Sequence, residues 1–344
     1  MYLGIEIGGT KLQFGVGEGE GSAFLASQRL DIDPTQGAEG ILAQIQANAG
    51  PLISQHAVQR IGIGFGGPVN TATGKVTTSH QVDGWDNFAF SDWCRATFGI
   101  PATLGNDCNV ATIAESRFGA GRGARRVFYL TVGTGIGGGF AIDGQLDGAE
   151  RPAIAEIGHL RPGLHAENPD ATVESLASGW GIVAHVRSRI SADISRSLAT
   201  VRDDAQPFDP SRMRQRVADA QQAEAEFAAD LLVRCEEQID QLTGKIIGEA
   251  AVAGNQIAQE ALTHACEAIG WAVAQVVTLM APEVLVIGGG VSLLDKQLFL
   301  SPVQKAAAKF VFPPLREAFE IKPPSLGEWV VVHGALAFAR DADK

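Results

Sequence analysis

Asp107, paired with Asn106 and set between glycine clusters, is the residue around which a reaction can be built. The clusters are Gly8, Gly9, Thr10 and Lys11; then Gly133, Thr134, Gly135, Ile136, Gly137, Gly138 and Gly139; then Gly288, Gly289 and Gly290. Each follows an apolar, strand-like run (Leu3 to Ile7, Val127 to Val132, Val284 to Ile287), which puts backbone N–H groups where they can close around a phosphate or nucleotide. A Cβ in such a loop would obstruct positive-φ turns and keep an anion away from the main chain. A single loop of this kind is weak evidence. Two in this order, with an Asn-Asp pair between them at the tip of another strand, supply the parts for phosphoryl transfer: loops to hold phosphates and a carboxylate to take the proton of an attacking hydroxyl. The bland alternative for Asp107 is an N-cap for a helix near residue 109, and for Asn106 a strand-end turn residue.

The elements that must position these residues alternate between strands and helices. Leu3, Ile5 and Ile7 alternate as in a half-buried strand, Leu12 to Val16 reads as its hairpin partner, and Phe24 to Leu30 as a third strand. Gly37 to Ala57 is expected to be a helix, Arg60 to Gly64 a strand, Asp92 to Phe98 and Val110 to Phe118 short helices around a strand at Ala102 to Leu104. New strands are expected at 127–132, 138–142 and 145–147, so a domain boundary falls after Gly119. Residues 193–230, polar and broken by Pro207 and Pro210, read as a surface helical insertion, with a lid or dimer contact as the alternative. Beyond them come a helix through Ala250 to Ala253, a long helix from Gln256 to Met280, the strand Val284 to Ile287 and a last helix at Gly334 to Arg340.

Eight ordered motifs make the chain resemble the ROK family of sugar kinases and related repressors: GIEIGGTK at 4–11, GIGFGGPV at 62–69, GWDN at 84–87, NDCN at 106–109, TVGTGIGGG at 131–139, EIGH at 156–159, ESLASG at 174–179 and PEVLVIGGGVS at 282–292. The resemblance implies an α/β, two-domain actin-like (ribonuclease-H-like) fold, with residues 1–119 plus 330–344 as one domain and 120–329 as the other. It implies transfer of the ATP γ-phosphate to a hexose hydroxyl, with the glucose 6-hydroxyl the first expectation; mannose, fructose, allose and N-acetylated hexosamines remain open. Asp107 matches the family's general base. Asn106, Glu156, His159 and Glu174, with Gly67 in a tight loop, match its sugar contacts. Read without the family, His159 is a structural histidine and Glu174 a first-turn carboxylate.

By the same resemblance Gly8, Gly9, Thr10 and Lys11 bind the transferred phosphate, Gly133, Thr134, Gly135 and Gly137 the remaining phosphates, and Gly288, Gly289 and Gly290 the adenosine end. Glu6 stands where many members carry Asp beside the Mg²⁺ hydration shell, and Gly66 where the family more often has proline. Many members follow EIGH with a CxCGxxGC loop that holds zinc. Here residues 160–173 contain no cysteine, so no structural zinc is expected, the competing set of His159, His165 and Asp170 lacking thiolates. Asp170 or Glu167 is then the expected partner for the second His159 nitrogen.

Composition excludes several classes. With 27 basic against 39 acidic residues the net charge is −12, which disfavours nucleic acid as a partner. Four widely spaced cysteines (Cys94, Cys108, Cys235, Cys266) form no CxxC pair, which suits a reducing compartment. With no signal-like N-terminus and no apolar run of about 20 residues, a cytoplasmic protein without a membrane partner is expected, and a homodimer. A sugar-binding regulator is the alternative function; the family's repressors carry a DNA-binding segment ahead of the first loop, and the loop here starts at residue 8.

Overall fold

The computed structural model describes residues 1–21, 23–79, 82–148, 154–163, 168–200 and 211–342. Its first half consists of β1 (Tyr2–Ile7), β2 (Lys11–Gly17), β3 (Ala26–Asp31), α1 (Gly37–His56), β4 (Arg60–Phe65), a small hairpin of β5 (Val69–Asn70) and β6 (Lys75–Val76), α2 (Phe90–Phe98), β7 (Ala102–Asn106) and α3 (Asp107–Arg117). The second half runs through β8 (Arg126–Val132), β9 (Ile136–Ile142), β10 (Gln145–Leu146), α4 (Val173–Ala177), α5 (Gly179–Thr200), α6 (Ser211–Arg234), α7 (Gly244–Val252), α8 (Gln256–Met280), β11 (Val284–Gly288), α9 (Leu300–Phe310), β12 (Glu320–Lys322) and α10 (Val330–Asp341).

Two five-stranded sheets organise the chain, ordered β3-β2-β1-β4-β7 and β10-β9-β8-β11-β12. In each, an antiparallel meander (β1-β2-β3, β8-β9-β10) continues into parallel strands reached through helical crossovers. Each sheet has its own apolar core, one around Ile5, Phe14, Ile63 and Trp85 and one around Leu130, Ile269, Val273 and Leu285. A third cluster joins them, with Val110 and Ala114 of α3, Val127 and Tyr129 of β8, Val286 of β11 and Val331 of α10. No described helix is long and apolar enough to cross a membrane.

One expectation about β1 is corrected. Its residues 3–7 are all buried rather than alternately so, because α10 lies across the face that alternation would leave to water. That close approach depends on missing side chains: a Cβ on Gly4 would stand 2.7 Å from the Val332 carbonyl oxygen, and one on Gly62 would run into the Ala335 carbonyl. The insertion is helical at both ends, as α5 and α6; Pro207 and Pro210 lie outside the described residues.

Candidate active site

The first glycine loop is the turn between β1 and β2, closed by the Gly8 N–H donating to the Lys11 carbonyl at 3.0 Å. Just before it, Glu6 is buried in β1 and pairs with Lys11 Nζ at 2.9 Å. With its amide nitrogen turned toward both oxygens, Gln13 donates to Glu6 Oε2 at 2.6 Å and to the Glu328 carbonyl at 3.0 Å. Burial pushes the Glu6 carboxyl up to about 7 against the pull of Lys11, and the nearby Asp107 and Glu328 push the same way. Glu6 is thus a buried carboxyl next to the first glycine loop, an oxygen ligand of the hard kind that a divalent cation carried in with phosphates takes.

Asp107 is the first residue of α3, which therefore starts earlier than the expected Val110. Asn106, not Asp107, is the N-cap: its Oδ1 accepts the N–H groups of Cys108 (3.0 Å) and Asn109 (3.3 Å), and its Nδ2 donates to the Gly67 carbonyl at 3.1 Å. The capping role that was the bland alternative for Asp107 thus falls to its neighbour. Besides the cap and the Gly67 bond, the Asn106 side chain also bonds the neighbouring Asp107 carboxyl. Asp107 Oδ1 accepts the Cys108 N–H at 2.8 Å. Burial raises its carboxyl above the usual range, while the Cys108 bonds, Lys11 and Asn106 draw it back. A Cβ on Gly66 would stand 3.5 Å from Asp107 Oδ2, so glycine there leaves space in front of the carboxylate.

The second glycine cluster is only partly a loop. The turn is residues 133–135, closed by the Gly133 N–H on the Gly135 carbonyl at 2.9 Å. A Cβ on Gly133 would meet no atom within 4 Å, so this residue is open to a ligand. Gly137, expected among the phosphate contacts, lies in β9, where a Cβ would stand 2.5 Å from Cys108 Sγ. Gly139 likewise makes room for Thr112. These two glycines form the seam along which α3 rests on β9.

Glu174, in the first turn of α4, reaches back to this loop: its Oε2 accepts the Ile136 N–H at 2.7 Å, leaving Oε1 for another partner. The EIGH segment folds as a short turn of helix on β9, and Gly158 permits contact with the Ile136 carbonyl. Ala155 ahead of it takes φ 57, a left-handed conformation costing a non-glycine residue about 1–2 kcal/mol, and strain of this kind tends to gather where a side chain must be aimed. The side chain so aimed is Glu156. Desolvation raises its carboxyl, Asp107 and Glu174 add to that, and His159 opposes it. The charge of His159 thus acts on Glu156; Asp170 makes no hydrogen bond to the ring among the described residues, and Glu167 and His165 lie outside them. No group of three or more His, Cys, Asp or Glu placed to hold a metal occurs among the described residues.

The third cluster divides similarly. Gly288 makes room for the Tyr129 hydroxyl, and Gly289, at φ 88, presses against the Val132 backbone, which brings the tip of β11 beside the second loop. Only Gly290 faces open space.

A family model described as the ROK family matches residues 2–342. A glucokinase of Streptomyces coelicolor is 28% identical over 348 residues, spanning 100% of this chain and 98% of the relative. A glucokinase of Thermotoga maritima is 25% identical over 339 residues, spanning 98% and 97%. Among solved structures, a ROK family glucokinase from Streptomyces griseus in complex with glucose and AMPPNP superposes with a TM-score of 0.77 at 29% identity, over 99% of both chains. The fold is accordingly the two-domain, actin-like fold expected from the motifs.

Proposed function

We propose, for a chain that belongs to the ROK family and is an ATP-dependent sugar kinase, that its acceptor is the 6-hydroxyl of a free hexose, glucose before its epimers. The observation that carries this reading is electrostatic: Asp107 is coupled on one side to Lys11 of the first glycine loop and on the other to Glu156, which is itself coupled to His159 and Glu174. Donor-side and acceptor-side groups thus meet at one carboxylate. The similarity to glucokinases along the whole chain supports glucose.

In this reading the sugar hydroxyl donates to Asp107, which orients it and takes its proton as the bond to phosphorus forms. The raised carboxyl makes Asp107 a better proton acceptor than an exposed aspartate. Glu156, His159, Glu174 Oε1 and Asn106 hold the other hydroxyls, so that a wrong epimer leaves polar groups unpaired once the sugar has covered them. Gly67 shapes the adjoining wall. Gly8 to Lys11 receive the transferred phosphate, Gly133 to Gly135 the others, and Gly290 the adenosine end. Mg²⁺ bound through water near Glu6 would neutralise phosphate charge. The domain division at residues 119 and 330, which follows the two sheets, belongs to this proposal.

ADP release measured with ATP, Mg²⁺ and a panel of hexoses tests the function, with glucose expected to give the highest kcat/KM. No turnover with any hexose would reject it, and a preference for another sugar would reject glucose alone. A second expectation follows from Glu6. Protonated in free protein below about 7, it must ionise when a cation arrives, so Mg–ATP binding at pH 7 should release about half a proton. Calorimetry in buffers of different ionisation enthalpy reads that number, and Glu6→Gln should abolish it. Equal proton release in the variant would remove Glu6 from the cation site.

A further inference from the structure

The chain crosses between its two sheets twice, over residues 118–125 from α3 to β8 and over residues 323–329 from β12 to α10. Both crossings end on one side chain. Glu115 of α3 is 0% exposed. Its Oε2 accepts the Ala120 N–H of the first crossing at 2.7 Å, and its Oε1 accepts the Ser325 and Leu326 N–H groups of the second at 3.0 and 3.1 Å. The Ser325 hydroxyl adds a longer contact to Oε2 at 3.5 Å. Gly119 is bare where a Cβ would run into Oε2, and the Gly121 N–H donates to the Glu115 carbonyl at 3.0 Å, so the first crossing wraps the end of the helix.

Its partners among the described residues are hydrogen-bond donors, not a cation. A carboxylate taken out of water is costly unless hydrogen bonds replace the water, and here the backbone donors come from the two crossings rather than from α3 itself. The side chain therefore ties crossing to crossing. Beside it lies the apolar cluster shared by both halves, with Ala114, Val127 and Val330 among its members. The ties lead to the site at both ends. α3 begins with Asp107, about two turns away, and the second crossing continues to Glu328, whose carbonyl accepts from Lys11 Nζ at 3.5 Å.

We infer that Glu115 is the pin of an interdomain hinge: by fixing the two crossings to one point it gives closure a single axis and brings Asp107 and Lys11 to set positions opposite the second glycine loop. This rests on the kinase reading, in which the sugar sits between the halves. Glu115 touches no substrate; it is a positioning residue.

The test attaches a donor and an acceptor dye at Ala47→Cys on α1 and Ala308→Cys on α9, both exposed; the four native cysteines are buried and stay unlabelled. Energy transfer is followed while the sugar turned over best is added. With Glu115 the signal should saturate. With Glu115→Gln, whose amide nitrogen replaces one of the two accepting oxygens, the midpoint should move to about 5-fold higher sugar or more. The sugar KM should rise with it, and kcat at saturation should fall by less than about 2-fold, as expected when ground-state organisation rather than the chemical step is lost. A variant that melts earlier but keeps midpoint and KM would reduce Glu115 to a structural residue and overturn the inference. Absence of any sugar-dependent signal in the Glu115 protein would overturn it too, while the ADP-release panel stands or falls separately. If the variant fails to fold, hydrogen exchange in the unmodified protein decides. Sugar should slow exchange at Ala120, Ser325 and Leu326 together, and slowing in one crossing alone, or in neither, rejects the pin.

Discussion

Asp107→Asn should lower turnover by about 100-fold or more while changing sugar affinity by less than about 3-fold. The substitution is informative because it removes so little else. Asparagine keeps an oxygen for the Cys108 N–H that Asp107 now accepts at 2.8 Å, and the cap of α3 belongs to Asn106. What is lost is the ability to take a proton and one negative charge. The charge has its own readout: Asp107 helps to raise both Glu6 and Glu156, so in the variant both carboxyls should titrate lower and the proton release on Mg–ATP binding at pH 7 should shrink. An Asp107→Asn enzyme with unchanged kcat, shown by its melting temperature to be folded, would end the assignment of Asp107 as base. A loss confined to KM would recast it as a binding group.

Much of this arrangement is legible in the chain. Strand runs ending in glycine clusters fix where loops can form, because local sterics alone demand it, and β1, β2, β4, β7, β8, β9 and β11 lie close to where the apolar runs put them. What escaped depends on partners distant in sequence. Gly137 and Gly139 look like phosphate-loop glycines, since a glycine that makes a turn and a glycine that lets a helix lie on a strand read identically until the helix is known. Gly4 and Gly62 gave no hint that α10, more than 260 residues further on, would cover their strands. Nothing in the local sequence sets Glu115 apart, because its partners Ser325 and Leu326 are 210 and 211 residues away. Asn106 is different. The pair of Asn and Asp at a strand-to-helix junction carried the cap signal, but both residue types cap equally well, so local propensity could not say which one would do it.

Gly334→Ala should destabilise the protein by about 2 kcal/mol or more, although helix propensity alone predicts a gain of about 1 kcal/mol. Gly334 lies in α10 and faces α3, where a Cβ would run into the Val110 carbonyl. An overpacked side chain can rotate away, but a backbone carbonyl within a helix cannot move without breaking its own hydrogen bond. α10 has no room to retreat either, since Gly4 and Gly62 already bring it against β1 and β4 on its other side. The clash must therefore be relieved by separating α10 from α3, which carries Asp107, and kcat should fall together with stability. Gly244→Ala is the control: Gly244 opens α7, and a Cβ there would meet nothing within 4 Å, so alanine should leave the melting temperature unchanged or raise it by about a degree. For a chain of this size the Gly334 variant should melt about 3 °C lower or more. If both alanine variants melt alike, α10 is not wedged between α3 and the first sheet, and the close packing assigned to its glycines is wrong.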